Sequence, residues 1–213
     1  MGEDKLLLPI NGVPALVMAV TAFDRCADVG ELIVVTRREK LEAFGRLLEA
    51  AGLKKPLKLT EGAATRQGSV ARGLAQTDAC CEYIAVHDGA RPFVTPEQIS
   101  ECLERAVEFG AAALGARVKN TIKRVGEDGF IEGTVDRSAL WEVHTPQIFE
   151  IGLYRRAMER AAESGAEYTD DCQLVEAVGH RVYMQPGGYE NIKLTSPEDV
   201  IFARAIAEKR AHS

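Results

Sequence analysis

The chain has 213 residues, of which 46% are hydrophobic and 27% are charged, and its formal net charge is −6. This is the composition of one globular domain with a full core, which excludes a disordered chain and argues against a nucleic-acid-binding protein. No apolar run reaches the roughly 20 residues that a membrane-spanning helix needs, and the start "MGEDKLLLPI" is not a signal peptide. We therefore expect a cytoplasmic protein with no membrane or nucleic-acid partner.

The first half of the chain alternates between helical and strand-like segments. Apolar residues recur at helical spacing in "PALVMAVTAFDRC", then the β-branched run "ELIVVT" follows, and "RREKLEAFGRLLEAAG" is again helical. The alternation continues with "LKLT", "SVARGLAQ", "YIAVHD", "PEQISECLERAVEFG" with Thr95 as its N-cap, and "AAALGA". Strands that alternate with helices predict an α/β fold, doubly wound around a mostly parallel sheet.

The alternation stops after Ala116. Residues 117–149 contain short strand-like pieces around the turn "GEDG", and no helix is long enough to cover them. We predict that this segment is a β-arm that protrudes from one domain spanning residues 1–213. A helix from about Glu150 to Ser164, another from Thr169, a strand at "RVYMQ" and a helix after Pro197 complete the predicted chain.

The five cysteines form no C-x-x-C pair, so we expect buried, reduced thiols and no protein-bound metal. Ligands of an open α/β sheet bind beyond the carboxyl ends of its strands. The segments "TEGAATRQGSV", "HDGARPF" and "NIKLT" follow such ends. Glycines and a helix start in the first segment suit an anion or a base edge, although an ordinary strand-to-helix turn has the same composition.

Asp88 and Arg91 in "HDGARPF" are candidate binding residues. A carboxylate accepts hydrogen bonds from hydroxyl groups, and a guanidinium binds phosphate through two parallel hydrogen bonds. The alternative is a local Asp–Arg pair that closes the loop. His87 is interpreted as a structural residue at the strand end and not as a base.

Several segments, in this order, resemble the 2-C-methyl-D-erythritol 4-phosphate cytidylyltransferase family. They are "DKLLLPINGVPAL", "TEGAATRQGSV", "VHDGARPFV", "VKNTIKRV", "TVDRSALWEVHTPQIF", "YTDDCQLVE" and "ENIKLTSPEDV". The resemblance implies a Rossmann-like nucleotidyltransferase domain whose β-arm pairs two subunits in a homodimer. It also implies an enzyme of the non-mevalonate isoprenoid pathway that joins CTP to methylerythritol phosphate and releases pyrophosphate, with Mg²⁺ held mainly by the CTP phosphates.

The resemblance also implies roles for single residues. The catalytic group is expected to comprise Lys5 at the α-phosphate, and Arg137 and Lys193 at the incoming phosphate. Thr121 would bind that phosphate too, and the methylerythritol hydroxyls would be contacted by Asp88, Arg91, Thr145 and Thr169. The nucleotide would be bound by Gly62, Ala63, Ser69 and Gly89. Singly, each residue could instead be structural or solvent-exposed.

The sequence departs from the family at two places. The family opens with an apolar strand and a loop resembling A-A-G-x-G-x-R-M-G, which carries a catalytic arginine, and only Met1 and Gly2 correspond to it here. We expect that the start was assigned too late or that the chain is truncated, and true loss of the loop is the third alternative. The first two are favoured because a sheet without that strand would have an unpaired slot. The second departure is Ala63, where the family often has glycine.

Two other functions are compatible with the sequence. One is a ribitol 5-phosphate cytidylyltransferase, which shares the fold and the chemistry, although "HDGARP" and "NTIK" favour methylerythritol phosphate. The other is a non-catalytic nucleotide-binding subunit, for which the missing loop is the argument. Consumption of CTP distinguishes this subunit from an enzyme.

Overall fold

The computed structural model describes residues 5–212. Met1 and Gly2, the residues that correspond to the family's N-terminal loop, lie outside this range. The helices are α1 (Ala15–Arg25), α2 (Leu41–Ala50), α3 (Arg66–Leu74), α4 (Pro96–Phe109), α5 (Ile151–Ser164), α6 (Asp171–Glu176) and α7 (Pro197–Ala211). The strands are β1 (Pro9–Ile10), β2 (Val13–Pro14), β3 (Leu32–Thr36), β4 (Leu57–Glu61), β5 (Tyr83–Val86), β6 (Ala111–Arg117), β7 (Ile122–Val125), β8 (Ile131–Val135), β9 (Trp141–Glu150) and β10 (Tyr183–Pro186).

The largest sheet has the strand order β10-β6-β9-β5. Strand β10 runs parallel to β6, whereas β9 runs antiparallel to both of its neighbours. A second sheet consists of the parallel pair β3 and β4. The predicted α/β architecture is confirmed, with β9 as the antiparallel exception.

Helices cover both faces of the large sheet because the side chains of its central strand alternate between them. Ala112 and Leu114 of β6 pack into a core cluster with residues of α1, α2 and α4. Ala111 and Ala113, which point to the opposite face, pack against α5 and α6. All four side chains are fully buried. The small alanines let the helices lie close to the sheet.

Helix α4 shows how local sequence fixes the element boundaries. The hydroxyl of Thr95 accepts a hydrogen bond from the Gln98 N–H, and the Gln98 side chain accepts one from the Thr95 N–H. Pro96 occupies the first turn, where no intrahelical partner for its nitrogen is needed. Gly110 ends the helix with φ at 81°, a conformation that glycine adopts without strain. Thr95 is the N-cap that the sequence predicted.

A groove of about 810 Å³ lies between β3 and β5. Each of these strands has its partner on one side only, β4 for β3 and β9 for β5. Within residues 5–212, no strand pairs with their other edges. The apolar side chains of Leu32–Val35 and Tyr83–Val86 contribute to the lining of the groove, which also reaches Asp88.

The arm predicted over residues 117–149 is shorter in the structure. Strands β7 and β8 form a separate antiparallel hairpin around the "GEDG" turn. Strand β9, Trp141–Glu150, lies at the centre of the large sheet with residues 144–149 buried, although the prediction assigned residues 141–149 to the arm. That part of the prediction is wrong, because polar residues in β9 hide its burial.

Among residues 5–212, no helix combines the length and hydropathy that crossing a bilayer requires.

The sequence also predicted that the cysteines are buried, reduced thiols. All five cysteines are unpaired, and Cys26, Cys102 and Cys172 are buried as expected. Cys80 is exposed and Cys81 is partly exposed, so the expectation of burial is wrong for these two neighbouring residues in the loop before β5.

Candidate functional site

The candidate site centres on the loop that follows β5. Asp88 is the second residue after this strand, and its carboxylate is mostly buried. Lys193 Nζ lies 2.8 Å from Asp88 Oδ2, and guanidinium nitrogens of Arg91 and Arg66 lie 3.8 and 3.9 Å from the carboxylate oxygens. The sequence positions of these three cations span more than a hundred residues. The fold therefore assembles three cations around the Asp88 carboxylate, and with Asp171, which pairs with Arg66, the cluster has three cations and two carboxylates.

The charges of this cluster set the ionisation of Asp88. Burial alone would raise the pKa of the Asp88 carboxyl, since it disfavours the charged form. The hydrogen bond and charge of Lys193, together with the charges of Arg66 and Arg91, act in the opposite direction and prevail. The pKa of Asp88 is lowered, so the carboxylate is ionised at neutral pH and can accept hydrogen bonds from hydroxyl groups.

Arg91 is only 8% exposed, and its guanidinium is directed at the protein backbone. Its Nη1 donates to the carbonyl oxygen of Asn191 at 2.7 Å, and its Nη2 donates to that of Val143 at 3.4 Å. Burial lowers the pKa of Arg91, against the attraction of Asp88. These contacts favour the structural interpretation of "HDGARPF": Arg91 lies beside Asp88, and both of its Nη atoms join the loop to other segments of the site.

Arg66 links Asp88 to the start of α6. Its Nη2 lies 2.7 Å from Asp171 Oδ2, and the hydroxyl of Tyr154 donates to Asp171 Oδ1 at 2.5 Å. Burial would lower the pKa of Arg66, but Asp171 and Asp88 raise it overall. Since Asp171 is almost fully buried, the guanidinium of Arg66 is held in place by a carboxylate that cannot turn towards solvent.

The segment "TEGAATRQGSV" forms a tight loop before α3. The Thr65 hydroxyl caps the helix by accepting from the Gly68 N–H at 3.0 Å, so α3 begins at Arg66, three residues before the predicted start at Ser69. Ser69 Oγ accepts from the Ala63 N–H at 2.9 Å. A Cβ on Gly62 would lie 2.8 Å from that same Oγ, which explains the glycine. The nucleotide-binding candidates Gly62 and Ala63 of this loop therefore lie directly against Ser69, near the start of α3.

Gly89, Lys5 and Thr169 lie around the same region. A Cβ on Gly89 would lie 3.6 Å from Leu6 Cδ2, which places Lys5 one residue from a contact with the Asp88 loop. Thr169 donates from its backbone N–H and its hydroxyl to Gln173 Oε1, and it comes two residues before Asp171, the partner of Arg66. Thr145 Oγ1 accepts from the Asp88 N–H at 3.0 Å.

Thr121 and Arg137 lie apart from this cluster. Both are exposed, and they flank the hairpin of β7 and β8. Arg137 Nη1 donates to the carbonyl oxygen of Lys119, a contact at the base of the hairpin. The structure of one chain thus brings together Asp88, Arg91, Thr145 and Lys193 and leaves the two hairpin residues separate.

Sequence reasoning assigned no binding role to Arg66, Asp171 and Asn191. A signal was present for all three, since "ATRQ", "TDDC" and "ENIKL" lie in the segments that carry the family resemblance. Asn191 immediately precedes "IKL", and only the fold reveals that it is fully buried against Thr145.

Comparison with known proteins gives consistent results. The family model for 2-C-methyl-D-erythritol 4-phosphate cytidylyltransferase matches residues 1–209. Enzymes of that name from Caldanaerobacter subterraneus and Geobacillus kaustophilus are 44% and 41% identical to this chain, cover 97% and 98% of it, and are themselves covered to 91%. The crystal structure of the Thermus thermophilus enzyme of that name is 33% identical, with a TM-score of 0.80 and coverages of 97% of this chain and 95% of its own. A 4-diphosphocytidyl-2C-methyl-D-erythritol synthase from Anaerococcus prevotii reaches a TM-score of 0.87 at 28% identity, covering 94% of this chain and 88% of its own.

Proposed function

Because the chain belongs to the 2-C-methyl-D-erythritol 4-phosphate cytidylyltransferase family, we propose that it transfers the cytidylyl group of CTP to 2-C-methyl-D-erythritol 4-phosphate. The family members are nucleotidyltransferases. The reaction is a step of the non-mevalonate isoprenoid pathway and releases pyrophosphate. We also propose that it acts in the cytoplasm, as the sequence led us to expect.

The observation that carries this proposal is the cluster around Asp88. Three cations lie within 4 Å of Asp88, and after Asp171, the partner of Arg66, is counted, one positive charge remains beside a group that can accept hydroxyl hydrogen bonds. A phosphorylated polyol presents both features that such a cluster recognises, a polyanionic phosphate and neighbouring hydroxyl groups. Lys193 is 40% exposed, so its ammonium can bind a phosphate while it stays close to Asp88.

The chemistry requires positioning and fixed positive charge. An ionised phosphate oxygen of the polyol attacks the α-phosphorus of CTP, a new P–O bond forms, and the bond to the bridging oxygen breaks. The electron pair of that bond leaves with pyrophosphate. Since the attacking oxygen is already ionised, no general base is needed, and Lys5 stabilises the charge that grows on the α-phosphate.

The remaining residues divide between the two substrates. The loop residues Gly62 and Ala63, with Ser69 near the start of α3 and Gly89, would bind the nucleotide where backbone groups are accessible. Asp88 and Thr169 would contact the polyol hydroxyls. Arg91 and Thr145 would contribute to polyol binding by holding the Asp88 loop, since both are buried.

Mg²⁺ fits this site as a companion of CTP. Residues 5–212 contain no group of three side chains from His, Cys, Asp and Glu that could hold a metal ion. Mg²⁺ is commonly held by substrate phosphates with one or two carboxylates, and Asp88 and Asp171 are already paired with cations. The ion would therefore be held mainly by the CTP phosphates, where it neutralises their charge.

The hairpin of β7 and β8 supports the proposal of a homodimer. Val125, Phe130 and Ile131 of this hairpin are 52%, 75% and 63% exposed. Apolar side chains at the end of a two-stranded sheet are expected to be covered by another copy of the same arm. In such a dimer, Thr121 and Arg137 would reach the polyol phosphate in the neighbouring subunit's site.

Initial rates with two sugar phosphates test the proposed function. The protein is incubated with Mg²⁺, CTP and either 2-C-methyl-D-erythritol 4-phosphate or ribitol 5-phosphate, and release of pyrophosphate is measured. We expect kcat/KM to be higher for methylerythritol phosphate. A higher value for ribitol 5-phosphate would replace the proposed substrate, and absence of CTP consumption with both would indicate a non-catalytic subunit.

A further inference from the structure

Four residues of the site form a closed ring of hydrogen bonds. His87 Nδ1 lies 3.1 Å from Thr145 Oγ1, and His87 Nε2 lies 3.1 Å from the carbonyl oxygen of Arg91. Arg91 Nη1 donates to the carbonyl oxygen of Asn191 at 2.7 Å, and Asn191 Nδ2 donates to that of Thr145 at 2.9 Å. The ring joins three segments that are far apart in the sequence.

The chemistry of the groups fixes the protons of this ring. A backbone carbonyl can only accept, so His87 Nε2 must carry the hydrogen that it donates to Arg91. In the neutral imidazole, Nδ1 is then the acceptor, and the Thr145 hydroxyl donates to it. The same hydroxyl oxygen accepts from the Asp88 N–H at 3.0 Å. Burial lowers the pKa of His87 to about 4, which keeps the imidazole neutral under physiological conditions.

The ring holds the two ends of the Asp88–Lys193 ion pair. On one side, the Asp88 N–H is bonded to Thr145, and Asp88 lies between His87 and Arg91 in the chain. On the other side, Asn191 precedes Lys193 by two residues, and the Leu194 N–H donates to the Ala90 carbonyl oxygen at 2.8 Å. Contacts within the protein thereby hold the backbone on both sides of the ion pair, whose charged groups lie 2.8 Å apart.

We propose that His87 and Asn191 are positioning residues for cytidylyl transfer, which place Asp88 and Lys193 for the polyol phosphate without touching it. This proposal rests on the proposed function. Asn191 is fully buried, and both ring nitrogens of His87 are used within the protein. Asn191 Oδ1 has no hydrogen-bond partner among the described residues, but it has no accessible surface through which substrate could reach it. Neither side chain can therefore bind substrate, and their effect must pass through the residues that they hold.

Two substitutions of His87 separate its two hydrogen bonds. His87→Gln keeps a donor near the position of Nε2 but loses the acceptor at Nδ1, whereas His87→Asn keeps an acceptor near Nδ1 but loses the donor to Arg91. We expect kcat/KM for methylerythritol phosphate to fall about 10- to 100-fold in His87→Gln and less in His87→Asn, since only the former breaks the path to the Asp88 N–H. The KM for CTP should change less than about threefold.

Asn191→Asp tests the other side of the ring, since it removes the Nδ2 hydrogen that Asn191 donates to the Thr145 carbonyl oxygen and keeps the size and shape of the side chain. We expect its kcat/KM for methylerythritol phosphate to fall by at least about 10-fold. His180→Gln is the matched control, because His180 Nε2 also contacts a backbone carbonyl, that of Phe109, at an exposed position outside the ring. It should retain wild-type kinetics. Melting temperatures recorded for every variant identify those that are unfolded at the assay temperature.

A measurement without substrate keeps this proposal distinct from the proposed function. Nitrogen NMR of the unmodified protein should show His87 as the neutral Nε2–H tautomer with an unprotonated Nδ1. If the wild type fails to consume CTP, the proposed function fails, while the NMR result still tests the ring. The positioning role is overturned by an Nδ1–H tautomer, by wild-type kcat/KM in folded His87→Gln and Asn191→Asp, or by equal losses for CTP and the sugar phosphate.

Discussion

Acid should destabilise this protein through two histidines that fold in the neutral form. Burial lowers the pKa of His87 and of His144 to about 4, from 6.5 for an unperturbed imidazole, and the charge of Arg91 contributes to both shifts. The unfolded chain therefore binds protons more tightly than the folded protein. Their contribution to the free energy of unfolding is fully present above pH 6.5 and is lost as the pH falls towards 4.

The size of this effect follows from the two pKa values. Between about pH 7.5 and pH 5, each imidazole lowers the free energy of unfolding by about 2 kcal/mol, and the pair by about 4 kcal/mol. A domain is stable by only about 5–15 kcal/mol, so the change is large. Asp88 contributes little over this range, because its pKa is lowered and it stays ionised.

Urea unfolding at the two pH values measures this difference. His144→Leu provides the comparison, since it removes one of the two imidazoles and should reduce the pH-dependent loss by about 2 kcal/mol. Only the difference between pH values matters, so a change in the variant's overall stability does not affect the conclusion. The same loss in the wild type and in His144→Leu would refute the assignment of a buried, neutral His144.

Three further predictions concern the reaction and the dimer. Lys5→Ala should lower kcat by on the order of 10²- to 10³-fold and change CTP binding much less; a change in KM for CTP alone would make Lys5 a ground-state binding residue. Asp88→Asn should raise KM for methylerythritol phosphate more than KM for CTP, which separate titrations of the two substrates measure. In the third, the Lys5→Ala and Arg137→Ala variants are refolded together in equal amounts. If these residues serve a site shared between subunits, about a quarter of wild-type activity should be recovered, because half of the dimers are mixed and each mixed dimer has one intact site of two. No recovery would mean that both residues act in one chain's site or that no dimer forms.

The sequence predicted the elements whose burial follows a simple apolar period. Helices α1, α4 and α5 and strands β3 and β5 lie within a few residues of their predicted positions. Their apolar residues face the core at helical or alternating spacing, which is the signal that the prediction used. Helix α4 was the clearest case, because Thr95, Pro96 and Gly110 each mark a boundary.

Strand β9 could not be predicted in the same way. It buries the polar residues His144, Thr145 and Gln147, which hydropathy assigns to the surface. Tertiary contacts compensate the burial of Thr145 and Gln147: Gln147 Oε1 accepts from the N–H groups of Asp171 and Cys172 at 3.0 and 3.1 Å, and Thr145 Oγ1 accepts from the Asp88 N–H. The partners lie more than twenty residues away, so no local pattern contains this information.

The candidate site was predicted as a set of residues but not as a geometry. Resemblance selected Asp88, Arg91 and Lys193, and the structure brings them together. It could not assign Arg91 to backbone carbonyls or identify Asn191, because these contacts depend on how the loops after β5 and β10 meet. The roles of Thr121 and Arg137 depend on a second subunit, which the sequence of one chain does not contain.

The most direct test of the central claim is the identity of the product formed at the Asp88 cluster. Phosphorus NMR of a mixture of CTP, Mg²⁺ and methylerythritol phosphate should show a new diphosphate diester and free pyrophosphate in equal amounts. Lys193→Met, which removes the cation 2.8 Å from Asp88, should lower the rate at which both products appear by at least about 10-fold without abolishing CTP binding. Pyrophosphate without the diester, or an unchanged rate in Lys193→Met, would contradict cytidylyl transfer at this site.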